Sequence, residues 1–347
     1  MTDQTDRRTS LRRFTEHALA EPRVNLAPAS ADASFRSYWR AQEPASAGSE
    51  HPRTWIVMDA PPGKEDITAW LDVAERLNAA DVHVPRILAH DTIQGFVLME
   101  DLGTRTYLGE LTDSNVEDLY ADALDTLLRM QMHANVAGLP DYSRVRMVDE
   151  MELMPAWFLR RHLGHVPACE TWDTIEHAFD LLAATAVRQP RAFVHRDFHS
   201  RNLIVTAARN PGVIDFQDAV SGPVTYDLVS LLRDCYIAWD DKRIEPWIET
   251  FRQRLQRADV IGPEADVTTF RRWFDLAGLQ RHIKVLGIFC RLCYRDGKPD
   301  YLADLPLVWR YTISIARRYD ELADFADVLE RALGERDITA QCADESA

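Results

Sequence analysis

The run His195-Arg196-Asp197-Phe198-His199-Ser200-Arg201-Asn202, followed at short range by Ile214-Asp215-Phe216-Gln217-Asp218, holds side chains suited to moving a phosphoryl group. That reaction needs an acceptor hydroxyl, a terminal phosphoryl group and a magnesium ion that neutralises its charge, all held within contact distance. Asp197 is the expected base, accepting a hydrogen bond from the acceptor hydroxyl and taking its proton as the oxygen attacks. Asn202 offers a neutral oxygen to a metal ion and Asp215 a carboxylate, the hard oxygen ligands magnesium prefers. His195 is expected to brace the loop. A lone His-x-Asp is commonplace, and so is an isolated Asp-Phe. The whole pattern, His-x-Asp-x-x-x-x-Asn and then apolar-apolar-Asp-Phe, is far more restrictive.

Short apolar runs flank these residues. Ala192-Phe193-Val194, Asn202-Leu203-Ile204-Val205 and Gly212-Val213-Ile214 read as strands, which would position both metal ligands through backbone hydrogen bonds. Upstream, Thr54 to Met58 is strand-like, and Ile67 to Ala80 carries Ile67, Trp70, Leu71, Ala74 and Leu77 at helical spacing. Gly95 to Gly103 reads as a buried strand running into a turn. A helix is expected to begin near Asp227, whose carboxylate suits a helix N-terminus, and to run through Leu231 and Leu232 to Trp239. Another covers Gln280 to Tyr294. These two helices should wall the acceptor pocket.

With 347 residues, 46% hydrophobic and 27% charged, the chain is long enough for two parts with substantial cores. A formal net charge of -15 disfavours nucleic acid and anionic membrane surfaces as partners. Met1 to Arg13 is polar and charged, with no signal-peptide pattern, and no later apolar run is long enough to span a bilayer, so the expected location is cytoplasmic. Five scattered cysteines are expected to be reduced thiols; Cys290-Arg-Leu-Cys293 has zinc-like spacing but lies in an apolar helical pattern without a second pair. Residues after about Arg336 are polar and read as a disordered tail.

The catalytic segment resembles the aminoglycoside phosphotransferase and choline kinase branch of the protein-kinase-like fold. That resemblance implies an α+β, bilobal protein-kinase-like fold, with a small β-rich nucleotide-binding lobe over residues 1–102 and a larger, mainly helical catalytic and sugar-binding lobe over 103–347. It implies ATP and Mg2+, with Asp197 as the base and Asn202 and Asp215 on the metal. It also makes Met99, Glu100 and Leu102 the hinge that meets adenine. Gln217 stands where protein kinases have the glycine of Asp-Phe-Gly. Small-molecule kinases commonly lack that glycine.

No glycine-rich phosphate loop occurs, and Ala29 to Arg36 is the expected substitute: its small residues would let amides approach phosphates, with Ser34 and Arg36 as donors. The family's strand lysine is missing along Ile56 to Asp59, leaving Lys64 or Arg36 to compensate. Six segments, Asp32 to Arg36, Met58 to Pro62, Leu98 to Gly103, His195 to His199, Ile214 to Asp218 and Arg295 to Lys298, together resemble bacterial N-acetylmuramate/N-acetylglucosamine kinases of cell-wall recycling. This implies ATP-dependent phosphorylation of an amino-sugar anomeric hydroxyl, with no obligate protein partner. His199, Arg233, Asp234, Lys284 and Arg291 are the candidates for holding the sugar, a lactyl carboxylate favouring a cation. A kinase of amino alcohols or aminoglycosides would keep the loop and change the pocket. A nonenzymatic nucleotide-binding regulator would have no need of the base.

Overall fold

The computed structural model describes residues 2–31, 35–43 and 53–342. The chain forms two compact units, the first comprising Met1–Asn115 and Asn202–Asp218, the second Val116–Arg201 and Ala219–Ala347. The elements of the first stretch are α1 (Thr2–Leu19), β1 (Asn25–Ala31), β2 (Ser37–Gln42), β3 (Thr54–Asp59), α2 (Ile67–Ala79), β4 (Ile87–Asp91), β5 (Phe96–Glu100) and α3 (Tyr107–Glu110). There follow α4 (Val116–His133), α5 (Arg144–Met151), a wide-turned helix over Met154–His162, α6 (Cys169–Val187), β6 (Arg191–Val194), β7 (Leu203–Ile204) and β8 (Gly212–Val213). The chain continues with β9 (Val220–Pro223), α7 (Tyr226–Leu232), α8 (Asp241–Arg257), α9 (Val267–Asp296), α10 (Leu305–Ala316) and α11 (Ala323–Leu333).

Unit 1 is built on a five-stranded antiparallel sheet in the order β1-β2-β3-β5-β4. Leu11 of α1 packs with Val24, Leu26, Ala41, Val57, Phe96 and Leu98 on one side of it. Arg7 ties α1 to the sheet, donating to Asp59 Oδ1 (2.8 Å from Nε) and to Gln94 O (2.9 Å). The turn into β5 requires a glycine: Gly95 has φ +72°, and a Cβ there would lie 1.9 Å from Ala60 O. Asp66 caps α2, accepting from Thr68 N–H at 2.8 Å, and the helix buries Ile67, Trp70, Val73, Ala74 and Leu77.

The division expected at residue 102 falls inside unit 1. Val205 N–H donates to Arg105 O (2.7 Å), Val213 N–H to His83 O (2.8 Å), and Thr106 is bridged to Ile204. These bonds hold the β7–β8 hairpin to the 83–106 region, across an intervening stretch, Val116–Arg201, that belongs to the other unit.

Unit 2 is mainly helical around α9, 30 residues long, which buries Phe274, Leu279, Ile283, Leu286 and Phe289 in the largest core. Helix α9 also buries Asp275. Its carboxylate meets Arg233 (2.8 Å), Arg318 (2.9 Å), Arg271 (3.1 Å) and the Tyr319 hydroxyl (3.0 Å). Gly287 lets α9 touch the backbone of Leu153, since a Cβ there would sit 2.3 Å from Leu153 C. Gly287→Ala is therefore expected to destabilise the protein by about 1–3 kcal/mol, the clash outweighing the gain of roughly 1 kcal/mol in helix propensity. A urea midpoint equal to or above wild type would show that the contact yields freely.

Two expectations change here. The helix starting near Asp227 stops at Leu232 instead of reaching Trp239. Asp234 Oδ1 accepts from Tyr236 N–H at 3.1 Å, closing a side-chain turn that competes with helix. The tail is also ordered as far as residue 342: Ile338 O meets His162 Nε2 at 2.8 Å, and Cys342 N–H donates to the Tyr294 hydroxyl at 2.9 Å.

Candidate active site

In unit 1, a cavity of about 430 Å³ is lined by Ile56, Trp70, Met99, Leu102, Ile204 and Phe216, with Arg40, Asp101, Asn202 and Asp215 supplying polar groups. An apolar pocket with a few polar groups suits a planar base with a charged tail. The hinge main chain is partly committed: Glu100 N–H donates to Arg86 O (2.9 Å) and Gly103 N–H to Asp101 Oδ1 (3.0 Å). Asp101 N–H and Leu102 N–H make no hydrogen bond among the described residues. Arg40 of β2 grips Asp101 with both arms of its guanidinium, at 2.6 and 3.2 Å.

The β7–β8 hairpin brings Asn202 and Asp215 together. Asn202 precedes β7, Asp215 follows β8, and Ile214 N–H donates to Asn202 O at 3.1 Å. Their side chains meet, with Asn202 Nδ2 3.3 Å from Asp215 Oδ2, while Gln217 Nε2 donates to the other carboxylate oxygen at 3.0 Å. Asp215 has φ 64°, a left-handed conformation that Asp tolerates better than most residues and that functional sites often hold. One carboxylate and one amide oxygen on a rigid hairpin fit Mg2+, which usually keeps waters and substrate phosphates for the remainder of its shell.

In unit 2, the loop after β6 is fixed from beneath. Buried Asp227, in the first turn of α7, accepts from His195 N–H (2.6 Å) and Arg196 N–H (2.9 Å). His195 Nδ1 accepts in turn from Asp197 N–H at 3.3 Å. Asp234 takes Ser200 N–H (2.9 Å) and Ser200 Oγ–H (2.5 Å) on a single oxygen. Arg196 has φ 80°, uncommon for a long side chain, and its guanidinium pairs with Glu150. Glu150 also receives Lys284 Nζ at 3.0 Å and the Tyr142 hydroxyl at 2.5 Å. The loop is thus bolted at both ends by buried carboxylates, which preorganises Asp197 between them.

Burial alone would raise the Asp197 carboxyl, but the positive field of Lys284, His199, Arg196 and Arg281 overrides it and holds the group below the usual carboxylate range. Asp197 is therefore ionised at neutral pH, ready to accept a proton. Lys284→Met removes one of these charges, so Asp197 should titrate higher and the acid limb of kcat/KM should move to higher pH. An acid limb that stays in place would exclude this electrostatic role.

A family model described as the phosphotransferase enzyme family matches residues 25–270. The chain belongs to that family. Among curated relatives, a protein of Pseudomonas aeruginosa named N-acetylmuramate/N-acetylglucosamine kinase is 44% identical over 309 residues, 89% of this chain and 88% of the relative. A protein of the same name from Neisseria meningitidis is 37% identical over 336 residues, covering 96% of this chain and 98% of its own. Solved structures share the fold at low identity. A choline kinase of Streptococcus pneumoniae matches with TM-score 0.58 at 12% identity, covering 88% of this chain and 99% of its own. An ADP-bound aminoglycoside phosphotransferase matches with TM-score 0.55 at 15% identity, covering 87% and 98%. The chain thus has the kinase-like α+β fold, with an antiparallel sheet in the N-terminal part and a mainly helical C-terminal part.

This phosphotransferase distributes the residues singled out in its sequence unevenly. Met99, Glu100 and Leu102 all line the unit 1 cavity with Asn202 and Asp215. Ser34 lies outside the described residues. Arg36 lines a smaller recess with Gln217 and Asp218, while Lys64 stacks over Phe35 at 4.7 Å and does not line the larger cavity. His199 is buried beside Tyr236, ring centroids 5.5 Å apart, with Nδ1 unpartnered among the described residues. Lys284 stands in the field of Asp197. Two of the expected sugar ligands are engaged elsewhere: Arg233, 1% exposed, is paired with Asp275, and Asp234 braces Ser200 and Tyr236. Arg291 is half-buried on α9 with its Nε unpartnered among the described residues. Sequence reasoning missed Glu150, Arg281, Arg40 and Asp101. Arg281 and Lys284 did leave a trace, as charges three residues apart inside an apolar helical pattern.

No helix among the described residues is long and apolar enough to cross a membrane.

Proposed function

We propose that this chain is an ATP-dependent kinase that phosphorylates the anomeric hydroxyl of N-acetylmuramate and of N-acetylglucosamine, giving sugar 1-phosphates for cell-wall recycling. The observation that carries the reading is the relationship to kinases of that name over most of both chains. Unit 1 would hold the nucleotide in the cavity lined by Met99, Glu100 and Leu102, and Asn202 and Asp215 would hold Mg2+. When bound, that ion neutralises phosphate charge. Gln217 keeps the Asp215 carboxylate oriented. Unit 2 supplies the base: Asp197 accepts the hydrogen bond of the anomeric hydroxyl and takes its proton as the O–P bond forms and ADP leaves. An anomeric hydroxyl is more acidic than an ordinary alcohol, so a carboxylate suffices. The need for ATP puts the reaction in the cytoplasm.

The charges around Asp197 support a neutral or anionic acceptor over an amino alcohol or aminoglycoside. Lys284, Arg196 and Arg281 all act on it, and the nearby acid Asp234 is engaged by the Ser200 and Tyr236 donors. The test is a substrate panel with purified protein, ATP and magnesium, with phosphorus NMR locating the new phosphate. The expected product is the 1-phosphate of both amino sugars. Phosphate on the 6-hydroxyl, or turnover confined to choline or aminoglycosides, would overturn the reading.

A further inference from the structure

Among the cations of unit 2 near the base, most are already engaged. Lys284 and Arg196 share Glu150, Arg233 is paired with Asp275, and buried Arg281 donates to Cys235 Sγ at 3.0 Å. Arg201 differs. Its guanidinium lies 3.5 Å from the Tyr236 ring centroid and 5.8 Å from that of Tyr301. The nearest carboxylate, Asp304, is 3.7 Å away, too far for a hydrogen bond, and among the described residues the guanidinium donates none. The side chain is 40% exposed. It is a planar cation held flat against an aromatic ring, its fork of donors unused and open to solvent.

Its position matters as much as its state. The same Tyr236 ring touches His199, and His199 lies in the electrostatic field of Asp197. One short train of contacts, from Asp197, whose carbonyl accepts from His199 N–H at 3.0 Å, through the His199 and Tyr236 rings to Arg201, therefore links the base to this guanidinium. Ser200, clamped by Asp234, fixes the backbone immediately before Arg201. N-acetylmuramate differs from N-acetylglucosamine by a lactyl ether on the 3-oxygen that ends in a carboxylate. Guanidinium suits that group, because its fork matches both carboxylate oxygens.

We propose that Arg201 is the residue that recognises the lactyl carboxylate and sets the preference for N-acetylmuramate over N-acetylglucosamine. This rests on the amino-sugar kinase reading above. The experiment measures kcat/KM for both sugars, and for N-acetylmuramate amidated at its carboxylate, with wild type, Arg201→Lys and Arg201→Met. Losing a charge-assisted hydrogen bond should lower the N-acetylmuramate to N-acetylglucosamine ratio in Arg201→Met by roughly 10- to 100-fold, mainly through KM. Arg201→Lys should recover part of it. Amidation should cost wild type a similar factor and cost Arg201→Met little, the coupling expected of partners in contact. An unchanged ratio, an equal loss on all three sugars, or an amidation penalty that persists undiminished in Arg201→Met would overturn the assignment. Wild type that turned over neither amino sugar would instead refute the functional reading, and Arg201 with it.

Discussion

Asp197→Asn is expected to lower turnover by about 10²- to 10⁴-fold, the range a positioned general base contributes, and to leave nucleotide affinity unchanged. Asparagine keeps the size and one acceptor oxygen of the carboxylate but cannot take the acceptor's proton. The groups assigned to nucleotide and metal, Leu102, Asn202 and Asp215, belong to the other unit and are untouched. Single-turnover kinetics with saturating ATP, paired with a nucleotide titration, separates the two effects. Near-normal turnover would remove Asp197 from the role of base. Loss of nucleotide affinity in parallel with turnover would mean that the substitution disturbs far more than one proton transfer. Because the amide removes a negative charge from among Lys284, Arg196 and Arg281, thermal melting of the variant provides the control for folding.

Asp275→Ala carries the largest expected effect on stability. Its carboxylate is the shared partner of Arg233, Arg271 and Arg318 and is fully buried. Removing it strands the buried Arg233 guanidinium beside the Phe274 ring, 4.7 Å away. Breaking a buried pair by deleting one partner costs about 3–5 kcal/mol, whereas replacing both ends by apolar groups is often close to neutral. Asp275→Leu combined with Arg233→Met should therefore be more stable than Asp275→Ala alone. A loss under about 1 kcal/mol on urea denaturation would show that the arginines find water or other acceptors.

The pH dependence of that stabilisation has a definite sign. Burial by itself would raise the Asp275 carboxyl, but Arg233, Arg271 and Arg318 outweigh it and hold the group below the ordinary Asp value. A depressed folded value stabilises the native state above the unfolded Asp range and loses that contribution as pH falls through the folded value. Wild type and Asp275→Ala should thus differ most near neutrality and converge in strong acid.

Much of the site was legible because its chemistry is local in sequence. Asp197, Asn202 and Asp215 stand at short spacings, flanked by apolar runs that do form the short strands β6, β7 and β8. Asp227 was readable as a helix-start carboxylate, and α2 from its apolar spacing. Where local propensity met a competing side chain the reading failed, as when Asp234 turned the chain after Leu232. Arg233 and Asp234 are adjacent charges of the kind that face a ligand or solvent. Only the packing of α9 and the catalytic loop shows each with its acceptor or donor already in place.

Residue types and short spacings in the sequence therefore pointed to phosphoryl transfer and to Asp197, Asn202 and Asp215 as candidates for base and metal ligands, and the family resemblance they carry implied the kinase-like class of fold. Those depend on residue types and short spacings, which a linear chain displays directly. Tertiary structure decided which charges are free to meet a substrate. Glu150 gathers Arg196, Lys284 and Tyr142 from segments far apart in the chain, while the Arg201 guanidinium lies over the Tyr236 ring and makes no hydrogen bond among the described residues. Pairing of charges across long loops costs chain entropy that only the collective burial of the core repays, so no local pattern announces it.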